Sequence, residues 1–226
     1  DFCNEHQVSH LFYNKQYEVN EQQRDDCVTR NLAGKVICQG FDGSVLLPPG
    51  SVVTGNREMF KVFTPFCKAF LRRLRESVPQ CVSAPAARGE PIIPAGDIPF
   101  SYPVEQVDAV LFPCGEKAAI ARLREFCQQR AQDYSGQRDY PAINGTSMLS
   151  PYLAIGVLSP GQCLNRLLVE YPQALDNDGS GAAVWLNELI WREFYRHLMT
   201  YHPALCRYQP FIRWTDRVQW QNNPTH

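Results

Sequence analysis

The stretch VWLNELIWREFYRHLMT, residues 184–200, decides the fold of the second half of this chain. It contains neither Pro nor Gly and is rich in Leu, Ile, Trp, Phe and Met, which predicts a buried or half-buried helix. At about 100° per residue, a wedge of roughly 120° collects two indoles, a phenol, a carboxylate and a guanidinium. These side chains belong to Trp185, Glu188, Trp191, Arg192 and Tyr195, and the opposite side carries Leu186, Ile190 and Phe194.

Two interpretations of this helix face are open. A face that sets aromatic rings beside both charges suits a large planar, polar ligand. The alternative is an ordinary amphipathic helix in which Glu188 and Arg192 form an i,i+4 ion pair. The pattern alone does not separate the two.

The composition of the chain is that of a globular protein. Its 226 residues are 44% hydrophobic and 20% charged, with a formal net charge of -1. That is enough for a hydrophobic core, without the overall basic charge of a DNA-coating protein. Nine cysteines without a CxxC pair favour reduced thiols in a cytoplasmic protein. We find no signal peptide and no apolar run of about 18 residues, so neither export nor membrane spanning is indicated.

The first part of the sequence has the pattern of an α/β fold. Val8–Tyr13 and Lys35–Gly40 are short apolar runs typical of buried parallel strands. Between them, Asn20 is expected to cap a helix over Glu21–Asn31, and Gly34 is its stop signal. Strand, helix and strand within about 33 residues form one βαβ unit, so we expect earlier strands to be missing. Because the chain starts with Asp1 and ends in ordinary globular sequence, we expect a fragment of a longer protein.

A basic helix and a proline-rich segment follow. Residues 60–76 become helical with Thr64 as N-cap and Pro65 at the first helical position. The late turns are basic, which predicts a solvated face made by Lys68, Arg72, Arg73 and Arg75. Six prolines between residues 79 and 103 predict an extended connector.

From Cys114 onward the periodicity is helical. Helices are predicted over Glu116–Arg130, Leu149–Ile155, 161–170 and 184–200, with loops at 133–146 and 176–181. The sequence therefore divides into an α/β part (1–77), a connector (78–113) and the first part of an all-α domain (114–226).

Other residues that could carry chemistry cluster before the second predicted all-α helix. In the run 145–151, GTSMLSP, the hydroxyls and free backbone N–H groups could receive a phosphate, although a plain N-cap explains the same pattern. Tyr134 and Arg138 precede this run in a segment that also reads as a surface loop, and Trp220 reads as a packing anchor. The five histidines lack metal-ligand spacing, so no metal is expected, and the common nucleotide-binding and hydrolase motifs are absent.

Two long motifs resemble the DNA photolyase/cryptochrome family. They are RDYPAINGTSMLSPYLAIGVLSP (138–160) and VWLNELIWREFYRHLMTYHP (184–203), and HLFYNKQYEVNE (10–21) and FKVFTPFCKAF (60–70) support the match. The resemblance is strongest to bacterial folate-type cyclobutane pyrimidine dimer photolyases. It covers the whole chain, which corresponds to the middle half of a full photolyase. It implies a Rossmann-like α/β antenna domain joined by a long connector to an all-α FAD-binding domain.

The resemblance also implies roles for single residues. FAD-binding positions are matched by Tyr134, Thr146, Ser147, Met148, Leu149, Ser150, Trp185, Arg192 and Tyr195. Glu188 and Trp191 match the floor of the lesion pocket, where Trp191 stacks on the flipped dimer and Glu188 hydrogen-bonds a pyrimidine. Arg138 matches a residue near the DNA backbone, and Trp220 matches the exposed end of the tryptophan chain that photoreduces FAD.

The antenna of the family is 5,10-methenyltetrahydrofolate. Its contacts are matched by Asn20 and Glu21 from the α/β part and by Cys206 and Arg207 from the helical part. The family often has Lys where Arg207 stands, so the charge is kept while the donor geometry changes.

The implied function is light-driven repair of pyrimidine dimers in DNA by electron transfer from excited reduced FAD, with a folate antenna. A carbon–carbon lyase that moves an electron needs no catalytic triad or metal, and the flipped substrate is a feature of base-flipping enzymes. We expect a cytoplasmic monomer with DNA as partner, no membrane and no obligate protein partner. This segment alone is expected to bind FAD poorly and to be inactive.

Three other functions stay open at this point. A cryptochrome is a blue-light receptor with the same flavin fold, but Glu188 and Trp191 favour repair. A photolyase for the (6-4) photoproduct is disfavoured by the bacterial-type motifs and by the YEVNE sequence (17–21). A non-enzymatic helical binding module requires that the family resemblance be misleading.

Overall fold

The structure, a computed structural model, describes residues 2–83, 86, 108–176 and 178–219. Most of the predicted connector 78–113 and the residue Trp220 therefore lie outside the described residues. A short helix α1 (Phe2–Glu5) precedes the first strand. Within the described residues, no helix combines the length and apolarity needed to cross a bilayer.

One βαβ unit forms the first part of the chain, as predicted. Strand β1 (His10–Asn14) and strand β2 (Ile37–Phe41) pair in parallel, and helix α2 (Val19–Leu32) connects them. The expected cap was wrong, because α2 begins one residue before Asn20 and its N-cap position is held by Glu18. At the other end, Gly34 adopts φ 77°, a left-handed conformation that favours glycine, so it does serve as the stop signal.

The expected burial of the two strands was wrong, because neither strand contains a buried residue and one face of the sheet carries three exposed apolar side chains. Because side chains alternate along a strand, Phe12 and Phe41 lie on the same face as Ile37 in the paired register. Phe12, Ile37 and Phe41 are 59%, 60% and 45% exposed. Helix α2 likewise contributes no buried residue. This face of the sheet lacks a covering layer within the described part of the chain.

Helix α3 (Phe63–Glu76) packs its buried residues into the same hydrophobic core as the helices that follow it in the chain. It begins one residue before the predicted cap Thr64, because Pro65 is tolerated anywhere in the first turn, where its missing N–H has no intrahelical partner. Its buried stripe includes Phe66 and Phe70, while the four basic residues of its later turns are exposed, as predicted.

Helices and short turns account for the elements described after residue 108. They are α4 (Glu116–Gln129), α5 (Tyr134–Gln137), α6 (Ser150–Ala154), α7 (Pro160–Glu170) and α8 (Gly181–Tyr201). Four 3₁₀ turns cover Ala131–Asp133, Pro172–Asp176, Pro203–Arg207 and Arg213–Arg217. The predicted loop 133–146 thus contains a helical turn. Among described residues 108–176 and 178–219 no strand occurs, in agreement with the helical periodicity.

The deciding stretch 184–200 forms the central helix, α8. This helix starts three residues earlier than predicted, at Gly181, after Ser180, whose hydroxyl accepts a hydrogen bond from the Ala183 N–H at 3.3 Å. Leu186, Ile190 and Phe194 are buried on the predicted side. Helix α8 packs against α3, α5, α7 and three of the 3₁₀ turns, whereas α4 packs mainly on α7.

Candidate functional site

A cavity of about 500 Å³ lies along one face of α8, between that helix, α5 and the segment that leads into α6. Its walls are formed by Glu18, Tyr134, Ser147, Leu149, Ser150, Leu153, Ala154, Trp185, Glu188, Leu189, Arg192, Tyr195, Arg196 and Met199. Seven of the residues that the family resemblance assigned to FAD therefore share one cavity: Tyr134, Ser147, Leu149, Ser150, Trp185, Arg192 and Tyr195.

The cavity has an apolar wall and a polar wall. Trp185 is buried and packs on Phe126 with ring centroids 5.0 Å apart, and Leu149 and Leu189 extend the apolar side. The polar side carries two hydroxyls, two guanidinium groups and two carboxylates: Ser147, Ser150, Arg192, Arg196, Glu18 and Glu188. The Arg196 Nη1 lies 3.9 Å from the Glu18 Oε1. A volume of this size with few polar groups on an apolar wall is typical of cofactor sites. The arrangement suits a ligand that joins a planar ring to an anionic group.

Glu188 at this cavity is paired with Arg138. The Arg138 Nη1 donates to the Glu188 Oε1 at 2.5 Å, and the guanidinium of Arg138 lies 5.9 Å from the centroid of the Tyr134 ring. Burial raises the pKa of Tyr134, and the charge of Glu188 adds to that shift. Tyr134 therefore stays a neutral phenol beside a charged pair.

Arg192 does not take part in the i,i+4 ion pair that the sequence allowed. Its Nη1 donates to the Ser44 carbonyl at 2.9 Å and lies 3.3 Å from the Glu193 Oε1. Burial lowers the pKa of Arg192. The ordinary amphipathic interpretation of this face is therefore wrong in its specific prediction, since Glu188 and Arg192 have different partners.

Two buried polar residues on α8 escaped the sequence analysis. Glu193 and His197 are both 0% exposed. The Glu193 Oε2 accepts from the Leu46 N–H at 2.8 Å, and the His197 Nε2 lies 3.0 Å from the Leu47 carbonyl oxygen. A signal was present, because the helical period places both residues on the side of Leu186 and Ile190. A polar residue at a core position indicates a buried partner.

The hydroxyl-rich run before α6 does not cap that helix. Leu149, not a Ser or Thr, holds the N-cap position, and no side-chain cap hydrogen bond forms there. Met148 adopts φ 53°, a left-handed conformation that costs a non-glycine residue energy. The plain N-cap interpretation of this run is thus wrong. Thr146 and Met148 are absent from the cavity wall, whereas Ser147 and Ser150 line it.

Arg130 fixes the segment ahead of this run. Its Nη1 donates to the Thr146 carbonyl at 2.6 Å, and to the Asn144 carbonyl and side-chain oxygens at 3.1 and 3.0 Å. Its Nε and Nη2 bind both carboxylate oxygens of Glu125. Gly145 completes the segment, since a Cβ there would lie 2.6 Å from the Gln137 Cβ. Sequence patterns gave no sign of this support.

Trp191 lies outside the cavity wall, although it shares the helix face. Its ring stacks on Phe63 with centroids 3.6 Å apart and an interplanar angle of 7°. The Tyr195 ring lies with its centroid 5.7 Å from that of Trp191, at an interplanar angle of 26°. Trp191 therefore joins an aromatic row between α3 and the cavity.

The residues assigned to the antenna lie on two separate elements. Asn20 and Glu21 occupy the first turn of α2, and Cys206 and Arg207 end the 3₁₀ turn Pro203–Arg207. Among the described residues, no hydrogen bond or ion pair joins the two elements. A cavity of about 370 Å³ beside α2 is lined by other side chains, among them Tyr17, Gln22 and Asp25.

The chain is similar in sequence to known photolyases. A family model described as DNA photolyase matches residues 1–86. The deoxyribodipyrimidine photo-lyase of Escherichia coli (strain K12) is 62% identical over 99% of this chain, and that of Vibrio cholerae serotype O1 is 42% identical over 96%. These matches cover 47% and 46% of the two relatives. The chain thus spans about half the length of the curated relatives it matches.

A solved structure shows the same fold. A bacterial class III photolyase from Agrobacterium tumefaciens superposes with a TM-score of 0.81 at 23% sequence identity. The match covers 98% of this chain and 47% of that chain. At this level of identity, the likeness establishes the fold alone.

Proposed function

The chain belongs to the DNA photolyase family, and from this premise we propose that the protein repairs cyclobutane pyrimidine dimers in DNA in a light-driven lyase reaction. The observation that carries the proposal is the single cavity on α8 that collects seven of the residues assigned to FAD. A relative that is 62% identical, the deoxyribodipyrimidine photo-lyase of Escherichia coli, supports the same reaction.

FAD is the cofactor that this cavity fits. The apolar wall around Trp185 and Leu189 suits the flat ring system, and Arg192 and Arg196 supply positive charge for its pyrophosphate. Ser147 and Ser150 offer hydroxyls on the same side. In its reduced, light-excited form, bound FAD supplies the single electron that the repair requires. We accordingly assign residues 1–77 to a Rossmann-like antenna domain, 78–113 to a connector and 114–226 to the FAD-binding domain.

We assign the remaining predicted residues to the substrate or to electron supply. Glu188 lies at the cavity and would hydrogen-bond the damaged pyrimidine, and Arg138 would hold its carboxylate in place while facing the DNA backbone. Trp191 would offer its ring to the extracted dimer, in exchange for its present stacking on Phe63. Trp220 would stand at the end of an electron path to FAD.

A folate antenna is part of the proposal. Asn20 and Glu21 would contact 5,10-methenyltetrahydrofolate from α2, and Cys206 and Arg207 would contact it from the helical part. Bound folate would supply additional absorbed light energy. Its four proposed contacts can be tested apart from repair, by the near-ultraviolet absorption of the purified protein.

The experiment that tests the proposed function is repair of a dimer-containing oligonucleotide under blue light by a protein that carries this chain at the full length of its relatives, called the intact protein below. We expect flavin absorption in the purified protein and loss of dimers only in the light. Glu188→Ala is expected to slow repair more than it weakens FAD binding. Flavin absorption without dimer loss would favour the cryptochrome alternative, and absence of bound flavin would contradict the proposal.

A further inference from the structure

Side chains of helix α8 hydrogen-bond to the backbone of residues 44–47, in the segment that follows β2. Three hydrogen bonds join them: the Leu46 N–H donates to the Glu193 carboxylate, the Arg192 guanidinium donates to the Ser44 carbonyl, and the His197 ring pairs with the Leu47 carbonyl. The partners lie about 150 residues apart in sequence. We call residues 44–47 with Arg192, Glu193 and His197 the latch.

The latch hydrogen bonds are made by buried side chains, and the second ring nitrogen of His197, Nδ1, is buried without a hydrogen-bond partner. Glu193 and His197 have no exposed surface, so breaking any of their hydrogen bonds would leave a buried donor or acceptor without a partner. Glu193 sits at the centre of the latch: its Oε2 holds the Leu46 N–H, and its Oε1 faces Arg192 at 3.3 Å. The other charged or titratable groups around it are Arg196 and Tyr17.

Arg192 belongs to the latch and to the cavity at once. Arg192 lines the cavity, and its Nη1 is held by the Ser44 carbonyl and the Glu193 carboxylate. The same side chain also lines a neighbouring cavity together with Ser44. A long cation that is fixed by two acceptors is held in one orientation, which spares a ligand the entropy of ordering it. The position of this positive charge at the cavity therefore depends on Glu193.

We propose that Glu193 is a positioning residue for the cavity: it docks segment 44–47 onto α8 and orients the Arg192 guanidinium toward the bound ligand. The part that concerns the ligand rests on the proposed FAD site, whereas the docking part does not. In a photolyase the latch would also fix the α/β part, with its antenna, relative to the flavin.

Two substitutions separate the two roles of Glu193. Glu193→Leu keeps a side chain of similar size and removes both carboxylate oxygens as hydrogen-bond acceptors. Glu193→Gln keeps a carbonyl oxygen for the Leu46 N–H but removes the negative charge that faces Arg192. Glu170, on the surface of α7 and paired with Arg166, offers the matched controls Glu170→Leu and Glu170→Gln.

The first readout is hydrogen exchange of the Leu46 amide in the intact protein without added ligand. We expect exchange about tenfold faster or more in Glu193→Leu, a smaller change in Glu193→Gln, and none in the two Glu170 variants. Should Glu193→Leu fail to fold, the Glu193→Gln comparison still applies. Equal protection of the Leu46 amide in folded Glu193 variants and the unsubstituted protein would overturn the docking role.

The second readout is the dissociation constant for FAD, measured by quenching of flavin fluorescence. Because both Glu193 substitutions release Arg192 on one side, we expect both to weaken FAD binding about tenfold, and the Glu170 variants to bind normally. Unchanged FAD affinity in the Glu193 variants would overturn the orienting role. An unsubstituted protein that binds no FAD would instead overturn the proposed function, while the exchange result would still stand.

Discussion

Two glycines on neighbouring elements differ in what surrounds them. Gly181 opens α8, and a Cβ at this position would overlap the carbonyl oxygens of Ala131 and Gln132. Gly136 lies in α5 with nothing within 4 Å of an added Cβ and without a positive φ. The two positions therefore predict opposite effects for one and the same substitution.

We expect Gly181→Ala to lower the free energy of unfolding by roughly 2–3 kcal/mol, because backbone atoms must move to admit the methyl group. Gly136→Ala is the control and should raise it by up to about 1 kcal/mol, since alanine is the better helix former. Urea titration of the three proteins measures both changes. A Gly181→Ala protein as stable as the unsubstituted one would contradict the close packing.

Arg138 yields a second prediction at this scale. Its ion pair with Glu188 is partly exposed, with side chains 35% and 41% accessible, so Arg138→Gln should cost at most about 1 kcal/mol of stability. If Arg138 faces the DNA backbone, the same change should lower the slope of log affinity against log salt by about 1. Arg124→Gln, on exposed α4 surface, should leave the slope unchanged. Binding of dimer-containing DNA across a salt series measures this, and an unaltered slope for Arg138→Gln would contradict the contact.

Sequence patterns predicted which residues lie at the cavity only where the residues share one chain segment, such as one helix face. Trp185, Arg192 and Tyr195 share a helix face, and the structure brings all three to one cavity. The hydrogen-bond partners of Glu188 and Arg192 could not be predicted from a local pattern, because Arg138 and Ser44 come from distant segments of the chain. Arg130 and its contacts to Asn144 and Thr146 carried no local signal for the same reason.

At the scale of the element, α8 is a helix with two functional sides. Its cavity side was predicted from the aromatic and charged wedge, and its latch side was not. Burial raises the pKa of Glu193 to about 7, against the lowering effect of the Leu46 and Leu47 N–H groups and of Arg192. Burial also lowers the pKa of His197. The two groups thus have opposite effects on the pH dependence of stability.

Whether each group makes stability rise or fall with pH depends on whether the folded or the unfolded state binds its proton more tightly. Because the folded pKa of Glu193 is raised, its favourable contribution is full below about pH 4.5 and is lost as the pH rises through about 7. His197, with a lowered pKa, contributes above about pH 6.5 and loses that contribution as the pH falls. A comparison with Glu193→Gln isolates the first effect, since His197 is common to both proteins.

We expect the unsubstituted protein to lose stability relative to Glu193→Gln between pH 4.5 and 7, by on the order of 3 kcal/mol. Above about pH 7 the difference should stay constant. Urea titrations of both proteins at several pH values measure it, with Glu170→Gln as the control for removal of a surface carboxylate. A difference independent of pH would contradict the buried position of the carboxyl group.

Element boundaries were predicted less well than element types. The strands, α3 and α8 all appeared where the periodicity indicated, but α2 started before Asn20, α3 before Thr64, and α8 at Gly181. Helix ends depend on caps and on close backbone approaches, such as that of Gly181 to Ala131. Such contacts are tertiary and leave little trace in a local pattern.

At the scale of the whole molecule, the βαβ unit and its exposed sheet face determine how the chain is expected to behave by itself. The βαβ unit was predicted from its strand–helix–strand spacing, including its parallel pairing. The relatives are about twice as long as this chain, and an apolar sheet face is exposed at Phe12, Ile37 and Phe41. We therefore expect the 226-residue chain by itself to bind FAD poorly and to self-associate. Stoichiometric FAD on the purified chain would contradict the first expectation.

The self-association can be assigned to a surface, since the three residues lie together on one side of a two-stranded sheet. Contiguous exposed apolar surface on an open sheet favours contacts between chains. The double substitution Phe12→Thr with Phe41→Thr should keep β propensity and remove most of this apolar surface. The sedimentation coefficient should therefore shift toward that of the monomer, and binding of a hydrophobic fluorescent dye should fall. Val62→Thr is the control, because Val62 is 61% exposed and lies outside the sheet. If the double variant associates as strongly as the unsubstituted chain, the contacts arise elsewhere, and the exposed aromatic residues near Trp214 become the next surface to test.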